Sequence, residues 1–255
     1  MKFLEIALLT FAAAGVQIAT SLNEDRETES RSIVNGYDSP TRPFFVKVLS
    51  LGGVCGGSII GARHVLTAAH CLQSPLGKRM IVIQIGDFSK PSKFVYSIGE
   101  AIVHEAYDKV TKINDIALIK TYAPIPQSPH HYGIINLCTE SSRFKHYPIA
   151  VSGMGLVNVT EKKYAKNLQE VVLQEVGTAK CRRKSDWFPS QQICLMGDEK
   201  DSCSGDSGGP AYPLMHGRPY CLYGVVSYGS SLCNGYGIYT RVSAYAEWIR
   251  RAMLI

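Results

Sequence analysis

Charge is scarce in this 255-residue chain: Asp, Glu, Lys and Arg make up 19% of it, against 45% hydrophobic residues. That balance excludes a disordered polypeptide, since there is ample apolar surface to bury, and the 23 glycines follow no period, which excludes a collagen. Long apolar runs are missing too. A membrane span takes about 20 apolar residues, and the longest run, residues 6–14, falls well short of that. There is no low-complexity repeat and no internal duplication. The histidines at 64, 104, 130, 131, 146 and 216 show no zinc-like spacing, and His104-Glu105 lacks the second histidine of a metalloprotease helix. No metal and no cofactor are expected.

A basic stripe is also lacking. Three of the 27 basic and five of the 21 acidic residues fall in the first 32 positions, which leaves 24 against 16 and a formal +8 for the rest. That excess is scattered, and only Arg182, Arg183 and Lys184 form a cluster. A solvated surface is expected, with no nucleic-acid partner.

What is present begins with eight cysteines, an even number that points to an oxidising compartment. Lys2, the apolar run and the small residues after it read as a signal peptide over residues 1–21, so a secreted, extracellular protein is expected, without a membrane partner. Residues 22–32 are polar and acidic with no apolar period, as in a linker. From Ile33 the character changes to short runs rich in β-branched residues, at 44–51, 54–60, 80–85, 94–103, 116–120, 149–152, 169–174, 220–227 and 237–242. Gly, Pro, Asn and Ser punctuate them, as in an all-β barrel or sandwich. One helix is predicted, at the end, where Tyr245, Trp248, Ile249 and Met253 recur at helical spacing with Glu247, Arg250 and Arg251 between them.

Three motifs carry chemistry. Leu66, Thr67, Ala68 and Ala69 lead into His70 and Cys71; Asn114 and Asp115 lead into the apolar run at 116–119; and Asp201-Ser202-Cys203-Ser204-Gly205-Asp206-Ser207-Gly208-Gly209-Pro210 is rich in glycine around a serine. In this order they make the chain resemble the trypsin-like, chymotrypsin-fold serine peptidases from Ile33 to the C-terminus. The resemblance implies two packed six-stranded antiparallel β-barrels with a C-terminal α-helix. It also implies a catalytic triad of His70, Asp115 and Ser207. A serine hydroxyl is a poor nucleophile at neutral pH, so Ser207 needs a base; an imidazole such as His70 takes its proton and returns it to the leaving amine. Asp115 would fix the tautomer and stabilise the imidazolium. The amides of Gly205 and Ser207 would form the oxyanion hole, one such donor being worth roughly 3 kcal/mol. Gly205-x-Ser207-x-Gly209 also fits the nucleophile elbow of α/β-hydrolases, but there the acid and base follow the serine, and strand–helix alternation is missing here.

The same resemblance places Asp201 at the base of the specificity pocket, with Ser202 beside it and Ser227, Gly229 and Gly237 along its walls. A carboxylate there selects protein or peptide substrates with Lys or Arg at the cleaved bond, because a buried charge is relieved by an opposite one. Two departures concern the rim: only three residues separate Cys233 from Gly237, and Tyr228 and Met154 stand where tryptophan is usual. The resemblance pairs Cys55 with Cys71, Cys181 with Cys194 and Cys203 with Cys233. Cys138 and Cys221 remain, and they are expected to bond to each other. Lys90 and Lys93, in the loop before Phe94, argue against a calcium site. Asn158-Val159-Thr160 is a glycosylation sequon.

Zymogens of this kind are activated when cleavage frees an Ile-Val-x-Gly terminus, here Ile33-Val34-Asn35-Gly36, whose ammonium pairs with the acid before the nucleophile, here Asp206. Residues 22–32 would be the activation propeptide. The preceding residue, however, is Ser32, with Arg31 one position earlier. Either an activating protease cuts after Ser32, or a second trimming step follows, or the chain never fully activates. The last case would make it a catalytically silent, protease-like binding protein. The expected partners are otherwise substrates, protein inhibitors and the activating protease, with the enzyme a monomer.

Overall fold

The computed structural model describes residues 36–39, 42–50, 53–73, 81–86, 88, 94–128, 132–139, 144–158, 163–181, 189–198, 200–230, 233 and 235–255, with the backbone alone for Val157, Asn158 and Thr178. The signal and propeptide readings, Ile33, the Lys90–Lys93 loop, the Arg182 cluster and the glycosylation sequon's side chains lie outside these residues.

A two-residue strand, β1 (Tyr37–Asp38), precedes six strands that close on themselves: β2 (Phe45–Ser50), β3 (Gly53–Gly61), β4 (His64–Thr67), β5 (Val82–Ile85), β6 (Phe94–Val103) and β7 (Ala117–Thr121). Their order around the barrel is β2-β3-β4-β7-β6-β5, and β5 returns to β2 through Lys47↔Gln84 and its neighbours. All the pairings are antiparallel, so period-2 alternation decides which side chains point inward. Along β2, Val46 and Val48 are buried while Lys47 between them is not, and Ile59, Val65, Ile83, Ile85 and Leu118 fill the same interior.

A short connector strand, β8 (Asn136–Leu137), leads to the second barrel. Its strands are β9 (Ile149–Gly153), β12 (Gln169–Val176), β13 (Gln192–Met196), β14 (Pro210–Pro213), β16 (Gly224–Gly229) and β17 (Tyr236–Arg241). The small pieces β10 (Leu156–Asn158), β11 (Lys163–Tyr164) and β15 (Cys221–Leu222) lie between them. The ring runs β12-β13-β17-β16-β14-β9 and closes from β9 to β12, with β1 added outside through Tyr37↔Glu170. Ile149, Val151, Val171, Leu173, Ile193, Leu195 and Tyr239 form a core of their own. The protein is therefore two closed six-stranded antiparallel barrels.

The closing helix, α1 (Ala246–Ala252), is where the spacing predicted it, and Trp248, Ile249 and Ala252 are its buried residues. They join the first barrel's core rather than the second's, so the end of the chain straps the two lobes together. Three barrel strands escaped the sequence reading, β4, β13 and β14. The last of them is only Pro-Ala-Tyr-Pro, and prolines argue against a paired strand. The run at 220–227 divides at Tyr223: β15 pairs in parallel with β8, and β16 pairs within the barrel.

Candidate active site

The cleft is built from strand ends. β4 and β7 are neighbours paired through Thr67↔Ala117. The chain leaving β4 enters a 3-10 turn at Ala69–Leu72 that carries His70, and Asp115 stands two residues before β7. Adjacent strands therefore deliver the two side chains to one place, 45 residues apart in sequence: His70 Nδ1 lies 2.7 Å from Asp115 Oδ2. Asp115 is fully buried and heavily held. Its Oδ1 accepts the His70 backbone N–H at 2.9 Å, its Oδ2 accepts the Ser227 hydroxyl at 2.5 Å, and its carbonyl accepts Thr240 Oγ1 at 2.8 Å. Asn114, with φ of 58°, turns the chain into this position, while its side chain donates to the Ala106 carbonyl and accepts from the Tyr245 hydroxyl, at 2.7 and 2.8 Å. With the carboxylate as acceptor, Nδ1 is the donor of this pair, which leaves Nε2 as the nitrogen able to accept a proton.

Ser207 comes from the opposite lobe. The main chain of its loop is pinned to the first barrel, with the Gly56 N–H donating to the Ser207 carbonyl at 2.7 Å. Cys71 Sγ lies 3.6 Å from that carbonyl and 3.8 Å from His70 Nε2, so one sulfur touches both the serine loop and the base. Gly208, with φ of +78°, makes the approach possible: a Cβ there would fall 2.2 Å from Thr67 Oγ1 and 2.5 Å from the Gly56 carbonyl oxygen. Gly205 likewise has φ of +99°. Through this loop the amides of Cys203, Asp206, Gly208 and Gly209 all donate internally, to Asp206 Oδ2, Cys203 O, Val226 O and Asp206 O. Among the described residues the amides of Gly205 and Ser207 have no such acceptor, which leaves the two expected oxyanion donors uncommitted.

Asp201 is buried, 1% exposed, on the far side of the same loop. Its Oδ1 accepts the Ser202 N–H at 2.8 Å and its Oδ2 the Gly235 N–H at 3.4 Å, and no cationic side chain pairs with it among the described residues. Burial pushes its carboxyl up to about 6, against those two amides. Ser202 Oγ lies 3.1 Å from the Tyr239 hydroxyl, and the Cys203–Cys233 disulfide ties this segment to the one before β17. Gly229 and Gly237 face each other where β16 ends and β17 begins. Ser227 falls at the bulge between Val226 and Tyr228, and its hydroxyl is turned to Asp115, a role the sequence reading had not assigned it.

Asp206 is fully buried, with Oδ1 accepting from Gly155 N–H and Oδ2 from Cys203 N–H, both at 2.8 Å. Burial pushes it up to about 7, and no cation pairs with it among the described residues. The disulfides are Cys55–Cys71, Cys138–Cys221, Cys181–Cys194 and Cys203–Cys233, all four as expected.

A double barrel with a buried aspartate bonded to a half-buried histidine and a glycine-flanked serine at the lobe junction defines a serine peptidase of the chymotrypsin fold. The chain matches the Trypsin family model over residues 33–249 and belongs to that family. It is 35% identical over 211 residues to mouse Chymotrypsin-C, covering 77% of this chain and 76% of that protein. Chicken Trypsin II-P29 is 32% identical over 262 residues, covering 99% of both. Rabbit Vitamin K-dependent protein C is 29% identical over 215 residues, covering 76% of this chain and 45% of that protein.

Proposed function

We propose that the chain is a secreted serine endopeptidase, made as a zymogen, that hydrolyses peptide bonds after Lys and Arg through His70, Asp115 and Ser207. The observation that carries the specificity is Asp201: a buried carboxylate with amide partners and no cation of its own among the described residues. Such a group is stabilised by an incoming ammonium or guanidinium, whereas an acidic side chain is repelled and an apolar one leaves the buried charge uncompensated. Secretion is supported by the four disulfides and by the apolar run near the start of the chain.

In this reading Ser207 Oγ attacks the scissile carbonyl as its proton passes to His70 Nε2. The oxyanion is met by the Gly205 and Ser207 amides, and the imidazolium by Asp115. Collapse expels the amine, which takes the proton from Nε2 and leaves an acyl-enzyme; water, deprotonated by the same nitrogen, then releases the acid and restores Ser207. Activation draws on Asp206, whose buried carboxyl would receive the ammonium of Ile33 once the propeptide is cut. The placement of Ser32 between Arg31 and Ile33 favours one second reading, a silent protease-like binder. An organophosphate serine reagent separates the two. The peptidase is modified at Ser207, and N-terminal sequencing of that labelled form begins at Ile33. An unlabelled Ser207 in the processed chain would select the binder.

A further inference from the structure

Glu170, on β12, is a carboxylate 1% exposed that belongs to none of the motifs above. Its Oε1 accepts the Tyr37 hydroxyl at 2.5 Å and an Arg42 terminal nitrogen at 2.9 Å. Its Oε2 accepts Arg42 Nε at 2.8 Å, the hydroxyls of Ser39 and Ser152 at 3.3 Å each, and the Tyr212 hydroxyl. The Arg42 guanidinium also lies over the rings of Tyr212 and Tyr220, 5.7 and 5.3 Å from their centres. Burial alone would raise the Glu170 carboxyl, but the hydroxyls of Tyr212 and Tyr37 and the charge of Arg42 hold it below the usual range, so it is ionised at neutral pH.

Three of these donors, Tyr37, Ser39 and Arg42, belong to the one stretch that joins the start of the mature chain to the first barrel. Its backbone is stitched to the same strand, through Tyr37↔Glu170, Asp38↔Gln169 and the Ser39 N–H on the Leu168 carbonyl at 2.9 Å. A fourth donor, Ser152, is on β9 opposite Glu170, and the next residue, Gly153, is pressed against Asp206: a Cβ on Gly153 would fall 2.0 Å from Asp206 Oδ1. One strand pair thus holds the anchor at Ser152 and Glu170 and packs against Asp206 one residue further on.

We infer that Glu170 is a positioning residue for activation: through Tyr37, Ser39 and Arg42 it fixes the leading segment on the strand pair that packs against Asp206, so that the ammonium freed by cleavage meets Asp206 as an intramolecular partner. The inference rests on the activation reading above. Ile33 is four residues before Tyr37, so a held Tyr37 confines the freed terminus to a radius of at most about 13–14 Å.

The test uses the secreted, processed chain and its Glu170→Gln variant. The variant is expected to lose at least about tenfold in active-site titre and to expose its N-terminal amine to cyanate at least about tenfold faster than the parent. Free Ile-Val dipeptide, which supplies the ammonium in trans, should restore most of the lost activity. A variant with full titre and a protected terminus would overturn the inference. So would lost activity that the dipeptide does not restore, since that marks a merely structural role. If Glu170→Gln does not fold, Tyr37→Phe, which removes one donor and leaves Arg42 in place, is judged by the same readouts. Full activity in Asp206→Asn would instead overturn the activation reading, and this inference with it.

Discussion

Glu170 and Asp201 are two carboxylates of the second lobe, each 1% exposed, and they are treated in opposite ways. Glu170 is surrounded by hydroxyls and a guanidinium, and its carboxyl is held below the usual range. Asp201 has two amides, and burial pushes its carboxyl up to about 6. Burying a charge without a partner costs several kcal/mol. A carboxylate partnered from within the chain contributes to the fold; one with no cation among the described residues, as at Asp201, is what the proposed specificity draws on. Asp115, held by His70 and Ser227, stands between the two, since in the proposed mechanism it faces a cation only while His70 carries the proton of Ser207.

The sharpest break in this comparison is at Asp115. Asp115→Asn should leave the fold intact and lower kcat by about 10⁴-fold, read with any good substrate, because the wrong tautomer of His70 is then favoured. Next, Asp201→Ser should reduce kcat/KM on Lys and Arg substrates by about two to four orders of magnitude, the equivalent of roughly 3–5 kcal/mol for a broken buried pair, while the serine reagent still labels Ser207. Unchanged turnover of basic substrates would remove Asp201 from the pocket.

The two classes of carboxylate should also respond oppositely to pH in the uncleaved chain. Glu170→Gln should destabilise by about 3–5 kcal/mol at neutral pH in denaturant unfolding. Because the folded-state value of Glu170 is depressed, its contribution exists above the unfolded value near 4 and is lost as pH falls, so the deficit should shrink in acid. Asp206 is the reverse case. Its folded value is raised to about 7, so the contribution of its neutral form is complete below the ordinary value of 3.8 and lost as pH rises through 7. Asp206→Asn should therefore stabilise the precursor at pH 8, by about 2–4 kcal/mol, and make no difference near pH 4, although the cleaved form would be inactive. The smallest effect is expected at Ser227: losing one hydrogen bond to a charged group, roughly 1.5–3 kcal/mol, should lower kcat in Ser227→Ala by about ten- to a hundredfold.

The parts of this arrangement that were legible from residues alone are the parts with local signatures. His70, Asp115 and Ser207 sit in runs whose residue types and order carry the resemblance, and the closing helix has its own period. Glu170 has no such signature: its meaning comes from Tyr37, 133 positions away, and Arg42, 128 positions away, which only barrel closure brings to it. Ser227 was hidden for a related reason. A bulge between Val226 and Tyr228 re-aims one hydroxyl, and the surrounding apolar run reads as continuous strand. The strands β13 and β14 were invisible because their pairing partners, rather than their own composition, hold them in the sheet.

The most direct trial of the role proposed for Asp201 is the cleavage profile of the mature enzyme on an unbiased peptide library. The account predicts that the residue on the acyl side of the cut bonds is Lys or Arg, and that raising the pH from 5 to 7, through the titration of Asp201, strengthens that preference relative to neutral residues. Cuts concentrated after aromatic or aliphatic residues, with Lys and Arg bonds left intact, would contradict it.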